Sequence, residues 1–252
     1  MSDWFFPYPP LLGGTLIKRY KRFFAEILLD SGETVVAHCP NTGPMTGIYH
    51  PGCPVMVSQS ANPNRKLAYT WELIQVPAPA PIWVGTNTAL PNLVIKSLLT
   101  SSLLPLDAGQ SYSVRSEVPY GSDLSPKDGK SRIDFLLTPV DSGQKPIYIE
   151  VKNTTWTQQV GDAQVALFPD TVTTRGQKHL LELTELLPNA RAVMLYFINR
   201  GDCASFAPGD SADPRYGELL RTAVAQGLEV WPCRFEVTPA GLRYLGLAQL
   251  QL

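Results

Sequence analysis

Two hydrophobic periodicities divide this chain. Up to about residue 80, apolar positions fall in short branched and aromatic runs broken by turn residues; beyond it, helical spacing alternates with further short runs. In the first part, residues 16–29 form one long run, Asp30-Ser31-Gly32-Glu33 supplies a turn, and residues 34–39 return as a second strand. Pro40-Asn41-Thr42-Gly43-Pro44 reads as a loop, and residues 55–59 and 67–76 read as strands around the Asn62-Pro63-Asn64 turn. A short all-β segment of this kind predicts a small barrel, because closure removes exposed sheet edges. The alternating prolines of Pro77-Ala78-Pro79-Ala80-Pro81 resist helix and sheet alike. They predict a boundary between a barrel domain over residues 1–80 and a second domain over residues 81–252.

In the second part, Leu90, Leu93, Val94, Ile95 and Leu98 recur at helical spacing, with Pro91 near the start. Strands are predicted over residues 112–118, 131–137 and 147–153, then a loop holding Phe168-Pro169-Asp170. Thr174-x-x-Gln177 has the form of a capping box opening a helix through Leu187. Residues 192–198 are nearly continuously apolar, as in a strand covered on both faces. A helix over residues 214–226 ends at Gly227, and residues 228–237 form a last strand. This alternation predicts an α/β domain, so the whole chain is mixed α/β.

Composition narrows the class. The hydrophobic fraction of 44% supports a sizeable core over 252 residues, and a charged fraction of 17% argues against disorder. With a net charge of −1, any nucleic-acid partner must be held by local patches. The four cysteines form no Cys-x-x-Cys pair and read as reduced, structural thiols. His38-Cys39 with His50-x-x-Cys53 fits no standard zinc finger. The opening Met1-Ser2-Asp3-Trp4 begins no leader-like pattern, and no apolar run approaches a spanning helix. The expectation is a cytoplasmic protein with no membrane association; its oligomeric state stays open, a homo-oligomer included.

Candidate chemistry concentrates in two strands, Ser131-Arg132-Ile133-Asp134-Phe135-Leu136-Leu137 and Ile147-Tyr148-Ile149-Glu150-Val151-Lys152-Asn153. Strand alternation puts Glu150 and Lys152 on one face and Ile147, Ile149 and Val151 on the other. A turn containing Pro139, Asp141 and Gly143 returns the first strand beside the second, bringing Asp134 near Glu150. Charges within branched, apolar sequence need compensation, and a divalent cation between Asp134 and Glu150 supplies it. Mg²⁺, with Mn²⁺ as substitute, would activate water and offset phosphate charge, with Lys152 orienting the water. Glu117 is an upstream candidate acid. The competing reading pairs Glu150 with Lys152 along a half-exposed strand.

Two basic clusters suggest phosphate contacts. Arg175, Lys178 and His179 crowd the start of a predicted helix, where cations are unfavourable unless an anion docks; the alternative pairs Arg175 and Lys178 with Asp170 or Glu182. Lys18-Arg19-Tyr20-Lys21-Arg22 precedes Phe23-Phe24. Alternation puts Lys18, Tyr20 and Arg22 on one face and Arg19, Lys21 and Phe23 on the other, and Arg65 and Lys66 extend the patch. Basic residues interleaved with aromatics on a small barrel suit DNA, duplex or single-stranded; a solvated strand with nothing bound is the alternative.

Blocks along nearly the whole chain resemble the sugar fermentation stimulation protein A family. They are Arg22-Phe23, Cys39-Pro40-Asn41-Thr42-Gly43, Thr70-Trp71-Glu72-Leu73, Asn87-Thr88, Pro91-Asn92, the two acid-bearing strands, Phe168-Pro169-Asp170 and Thr174-Arg175-Gly176-Gln177-Lys178-His179-Leu180. The resemblance implies an N-terminal OB-like barrel and a C-terminal domain similar to PD-(D/E)xK nucleases. It implies sequence-nonspecific DNA binding and a regulatory link to sugar, notably maltose, metabolism. It carries the nuclease motif onto Asp134, Glu150 and Lys152, with Glu117 upstream. The motif's proline is missing before Asp134, where Arg132-Ile133 stands. Three roles follow as expectations: a DNA-binding protein, a Mg²⁺-dependent nuclease, or a non-catalytic scaffold for a protein partner.

Overall fold

The computed structural model describes residues 4–77, 80–101, 103–107, 109–120, 131–140 and 143–252. Ala78 and Pro79 of the expected spacer, and Asp141 of the expected turn, lie outside the described residues.

A short first strand, β1 (Phe5–Pro7), precedes β2 (Leu11–Tyr20), β3 (Phe24–Leu29), β4 (Thr34–His38), β5 (Pro54–Gln59), β6 (Tyr69–Val76) and β7 (Ile82–Gly85). Strands β4-β3-β2-β5-β6 pair antiparallel in that order, and a parallel β4–β6 pairing closes the circuit. The result is a five-strand barrel without free edges. In β3, Ala25, Ile27 and Leu29 are buried on alternate positions, as a strand with one wet face requires. They fill the barrel with Leu16, Val35, Val57 and Trp71.

The run over residues 16–29 is two strands, not one. Tyr20 pairs with Phe24, and the chain reverses through Lys21, Arg22 and Phe23. Lys21 (φ +48°) and Arg22 (φ +64°) take the left-handed conformation that matches the twist of a tight hairpin. Neither is Gly or Asn, so the usual turn signal is missing. The face alternation expected for residues 18–23 therefore ends at Tyr20.

The sheet of the barrel continues through β7, which pairs with β6 (Val76 with Ile82). The proline-rich segment thus joins two strands of one sheet. Conversely, β1 pairs with a strand near the C-terminus, β16 (Gly241–Leu247).

After β7 come α1 (Leu90–Leu98), β8 (Tyr112–Tyr120), β9 (Ser131–Pro139), β10 (Ile147–Thr154), β11 (Trp156–Val160), β12 (Ala163–Phe168), α2 (Thr174–Leu186), β13 (Arg191–Ile198), β14 (Cys203–Pro208), α3 (Pro214–Ala225), β15 (Glu229–Thr238), β16 and β17 (Gln249–Leu250). The main sheet runs β1-β16-β15-β13-β10-β9-β8, with β10, β13 and β15 mutually parallel. A small sheet, β11-β12-β14-β17, lies beside it. Leu90, Val94, Ile95 and Leu98 of α1 join a core with Ile147, Ile149 and Val151. Leu180 and Leu183 of α2 and Leu219 and Leu220 of α3 join another with Ala192, Met194 and Tyr196. Strand β13 is covered from both sides, as its apolar run predicts.

Three local expectations change. Leu93 is 59% exposed, because the buried stripe of α1 already contains Leu90, Val94, Ile95 and Leu98. The cap of α2 is Thr173, whose hydroxyl accepts from Gly176 N; Gln177 instead donates to Asp213. The strands β1, β7, β11, β12, β14, β16 and β17 are additions to the elements expected. Among the described residues no helix is long and apolar enough to cross a membrane.

Candidate metal centre and nucleic-acid interface

Leu137, Leu136 and Phe135 of β9 pair with Ile147, Tyr148 and Ile149 of β10, and the ladder then stops. At the next position Asp134 takes over with its side chain. Its Oδ2 accepts from Val151 N at 2.7 Å, standing in for a strand carbonyl, and its Oδ1 accepts from Asn92 Nδ2 at 2.7 Å. The backbone ladder ends here, and Glu150 and Lys152, both largely buried, lie on the β10 face opposite Ile149 and Val151.

Glu150 is 4% exposed. Its Oε1 receives both Lys152 Nζ and His179 Nδ1, each at 2.5 Å. Its Oε2 is buried without a partner among the described residues. Burial alone would raise this carboxyl; the His179 hydrogen bond and the Lys152 charge outweigh it and hold Glu150 below its ordinary value. Asp134 goes the other way: burial and the Glu150 charge push it up to about 6. On the other side of the ring, Arg175 Nε lies 3.4 Å from His179 Nε2, so the imidazole is held between Arg175 and Glu150.

A third carboxyl stands close by. Glu182 Oε1 accepts from Ser131 Oγ at 2.9 Å and lies 3.7 Å from Lys178 Nζ. Burial, then the charges of Glu150, Glu182 and Asp134, push the Tyr120 phenol far up, so it stays protonated among them.

Asp134 and Glu150 suit a hard divalent cation. Burial, then the Glu150 charge, raises Asp134, and among the described residues Glu150 Oε2 lacks a donor; one cation would offset both. Asp134 and Glu150 would hold it, and it would supply water activation and charge neutralisation. Among the described residues no three His, Cys, Asp or Glu side chains gather into a fuller ligand set. The remaining ligands would be water or phosphate oxygens, as Mg²⁺ usually keeps.

Glu117 stands on edge strand β8 between Ser116, paired with Phe135, and Val118, paired with Ile133. That is level with Asp134, but Glu117 is exposed, has φ +54° and forms no hydrogen bond or ion pair with Asp134, Glu150 or Lys152. Asn92, on α1, fills the partner position instead. His179 is 3% exposed and spent on Glu150, so its ring is closed to an incoming phosphate. Lys178 is half-buried beside Glu182, and Arg175 is exposed. In the sequence Glu182 reads only as a surface partner of Arg175 or Lys178, and Asn92 only as part of a family block; the fold sets Asn92 on Asp134 and Glu182 between Ser131 and Lys178.

The barrel's basic residues also divide. The Arg19 guanidinium donates to the carbonyls of Arg22, Asn41 and Gly43, so it braces a loop. Lys18 pairs with Glu26 at 3.1 Å and lies over the Tyr20 ring. Lys21, Arg22, Arg65 and Lys66 are exposed. Phe24 pairs with His38, and His38 with Thr70, so the β2–β3 hairpin tip and the β5–β6 loop share one barrel rim. Arg65 and Lys66 belong to that β5–β6 loop, and burial, then the Arg65 cation, lowers His38 at the same rim. Loop residue Asn41, held by Arg19, lines a cavity of about 80 Å³ with Asn153, Thr154 and Asp170. The loop that Arg19 braces therefore shares this cavity with the end of the strand that carries Glu150 and Lys152.

Residues 17–86 match the SfsA N-terminal OB domain, and residues 89–241 match the Sugar fermentation stimulation protein RE domain. The chain belongs to the sugar fermentation stimulation protein (SfsA) family. The sugar fermentation stimulation protein homolog of Cyanothece sp. is 64% identical over 100% of both chains, and that of Nostoc sp. is 63% identical over 99% of each. The structure of Pyrococcus furiosus SfsA in complex with Ca²⁺ aligns with a TM-score of 0.81 over 98% of each chain at 22% identity. That SfsA protein shares the fold: an OB barrel followed by an α/β domain.

Proposed function

We propose that this SfsA protein binds DNA and that its α/β domain hydrolyses phosphodiester bonds with a divalent cation. The observation that carries the reading is the end of the β9–β10 ladder at Asp134. There the Asp134 carboxylate stands in for the ladder, Lys152 pairs with Glu150, and among the described residues Glu150 Oε2 has no donor. A hard cation of the kind held by the Pyrococcus protein suits such oxygens. Asn92 and Val151 N–H orient Asp134, and His179, steered by Arg175, orients Glu150. The Lys152 ammonium pairs with Glu150 beside the cluster and offsets negative charge developing on a phosphate. Arg175 and the barrel rim would grip the backbone, and the link to sugar metabolism would run through DNA.

Binding without cleavage is the second reading. It is favoured by Lys152, whose ammonium is already engaged by Glu150. Incubation of plasmid and single-stranded DNA with Mg²⁺ or Mn²⁺ separates the two. Nicks that EDTA and Asp134→Ala both abolish are expected; cleavage unaffected by Asp134→Ala would overturn the hydrolytic assignment. Gel shifts in EDTA should weaken steeply with salt, and absence of any shift at low salt would overturn DNA binding itself.

A further inference from the structure

The tip of the β2–β3 hairpin is built against its own folding preference. A hairpin with two consecutive left-handed residues is made most easily by Asn-Gly, yet Lys21 and Arg22 stand there. Strain of this kind persists where the surroundings enforce it, and it gathers at binding sites. The turn thrusts three side chains outward: Lys21, Arg22 and Phe23, whose ring is 49% exposed. Beneath them Tyr20 and Phe24 stack with centroids 5.3 Å apart. Arg65 and Lys66 stand on the neighbouring loop of the same rim. The one nearby acid of β3, Glu26, is already paired with Lys18.

Cations alone would serve any phosphate backbone. An exposed ring set among them has a narrower use. In a duplex the base faces are covered by their neighbours, whereas a single strand offers each face to an aromatic surface. We infer that this rim binds single-stranded DNA, with Phe23 as a platform on which one base stacks and Lys21, Arg22, Arg65 and Lys66 tracking the backbone. The inference rests on the DNA-binding reading and adds the form of the ligand and the side chain that selects it.

The test is fluorescence anisotropy in EDTA, comparing a labelled oligo-dT with a duplex of equal length. Wild-type protein is expected to bind the single strand more tightly. Phe23→Ala should weaken single-strand binding about tenfold and leave duplex binding unchanged, and Phe23→Trp should restore it. Lys21→Asn with Arg22→Gly relieves the turn, so the fold is kept. That pair should weaken both ligands and flatten the salt dependence. Equal wild-type affinity for both forms, or Phe23→Ala lowering both alike or neither, would overturn the inference while DNA binding stands. Binding of neither form by the wild type would instead overturn the DNA-binding reading on which it rests.

Discussion

At the scale of single residues, Asp134 and Glu150 show how neighbours decide chemistry. Both are acids in adjacent strands, yet one is pushed up to about 6 and the other held low. Lys152 and His179 converge on Glu150, whereas Asp134 accepts from a neutral amide and a backbone N–H. Folded Asp134 therefore binds its proton more tightly than in the unfolded chain. Its contribution to stability falls as pH rises from the ordinary 3.8 through about 6. Asp134→Asn keeps an acceptor for Val151 N–H and removes the charge. Thermal melts in EDTA should show the variant more stable than wild type above pH 6, with the difference vanishing towards pH 4. Adding Mg²⁺ should raise the wild-type melting temperature at pH 8 and leave the variant unmoved. An unchanged pH slope in the variant would place the titration elsewhere. Legibility at this scale was uneven. Strand alternation alone placed Glu150 and Lys152 together, but His179 looked like a surface cation until α2 turned it inward onto Glu150.

At the scale of elements, one carboxylate ties two helices together. Asp213 caps α3 through Tyr216 N and also accepts from Thr173 N and the Gln177 side chain at the start of α2. It is buried, and burial would raise its carboxyl; the N–H groups of Thr173, Gln177 and Tyr216 outweigh this and hold it low. A depressed acid stabilises above its ordinary range, and that stability fades as pH falls through the folded value. Asp213→Ala orphans these donors and should cost about 2–4 kcal/mol in urea unfolding at pH 7. A loss below about 0.5 kcal/mol would show that solvent replaces the carboxylate freely. Because α2 carries Arg175 and His179, this cap anchors the start of the helix that presents His179 to Glu150. The helix was legible from the capping-box pattern Thr174-x-x-Gln177, but the cap itself is one residue earlier: Thr173 and Thr174 are chemically equivalent in sequence, and the distant Asp213 claims Gln177.

At the scale of the whole molecule, the two halves are laced together. Strand β1 enters the α/β sheet, Gly85 N on β7 donates to Asn199 O at 3.0 Å, and Val84 bridges to Arg200. A Cβ at Gly85 would lie about 2.1 Å from the Asn199 amide, which is fully buried and bonded to Asn153. Gly85→Ala should therefore force the joint apart, costing roughly 1–3 kcal/mol. Calorimetry should show one wild-type transition and a broadened or split one in the variant. An unaltered single transition would mean the joint tolerates the extra methyl group.

What the sequence determined by itself was whatever a local period encodes: strand-rich and helix-alternating halves, a twice-covered β13, and a Glu150–Lys152 pair on one strand face. Those follow from backbone geometry, which repeats every two or 3.6 residues whatever lies outside. The tertiary structure alone decided which distant groups answer them: Asn92 on Asp134, His179 on Glu150, β1 on β16, and Lys21-Arg22 in a turn that no glycine marks. Partners of that kind are set by the approach of separate elements, and no spacing along the chain encodes the distance across it.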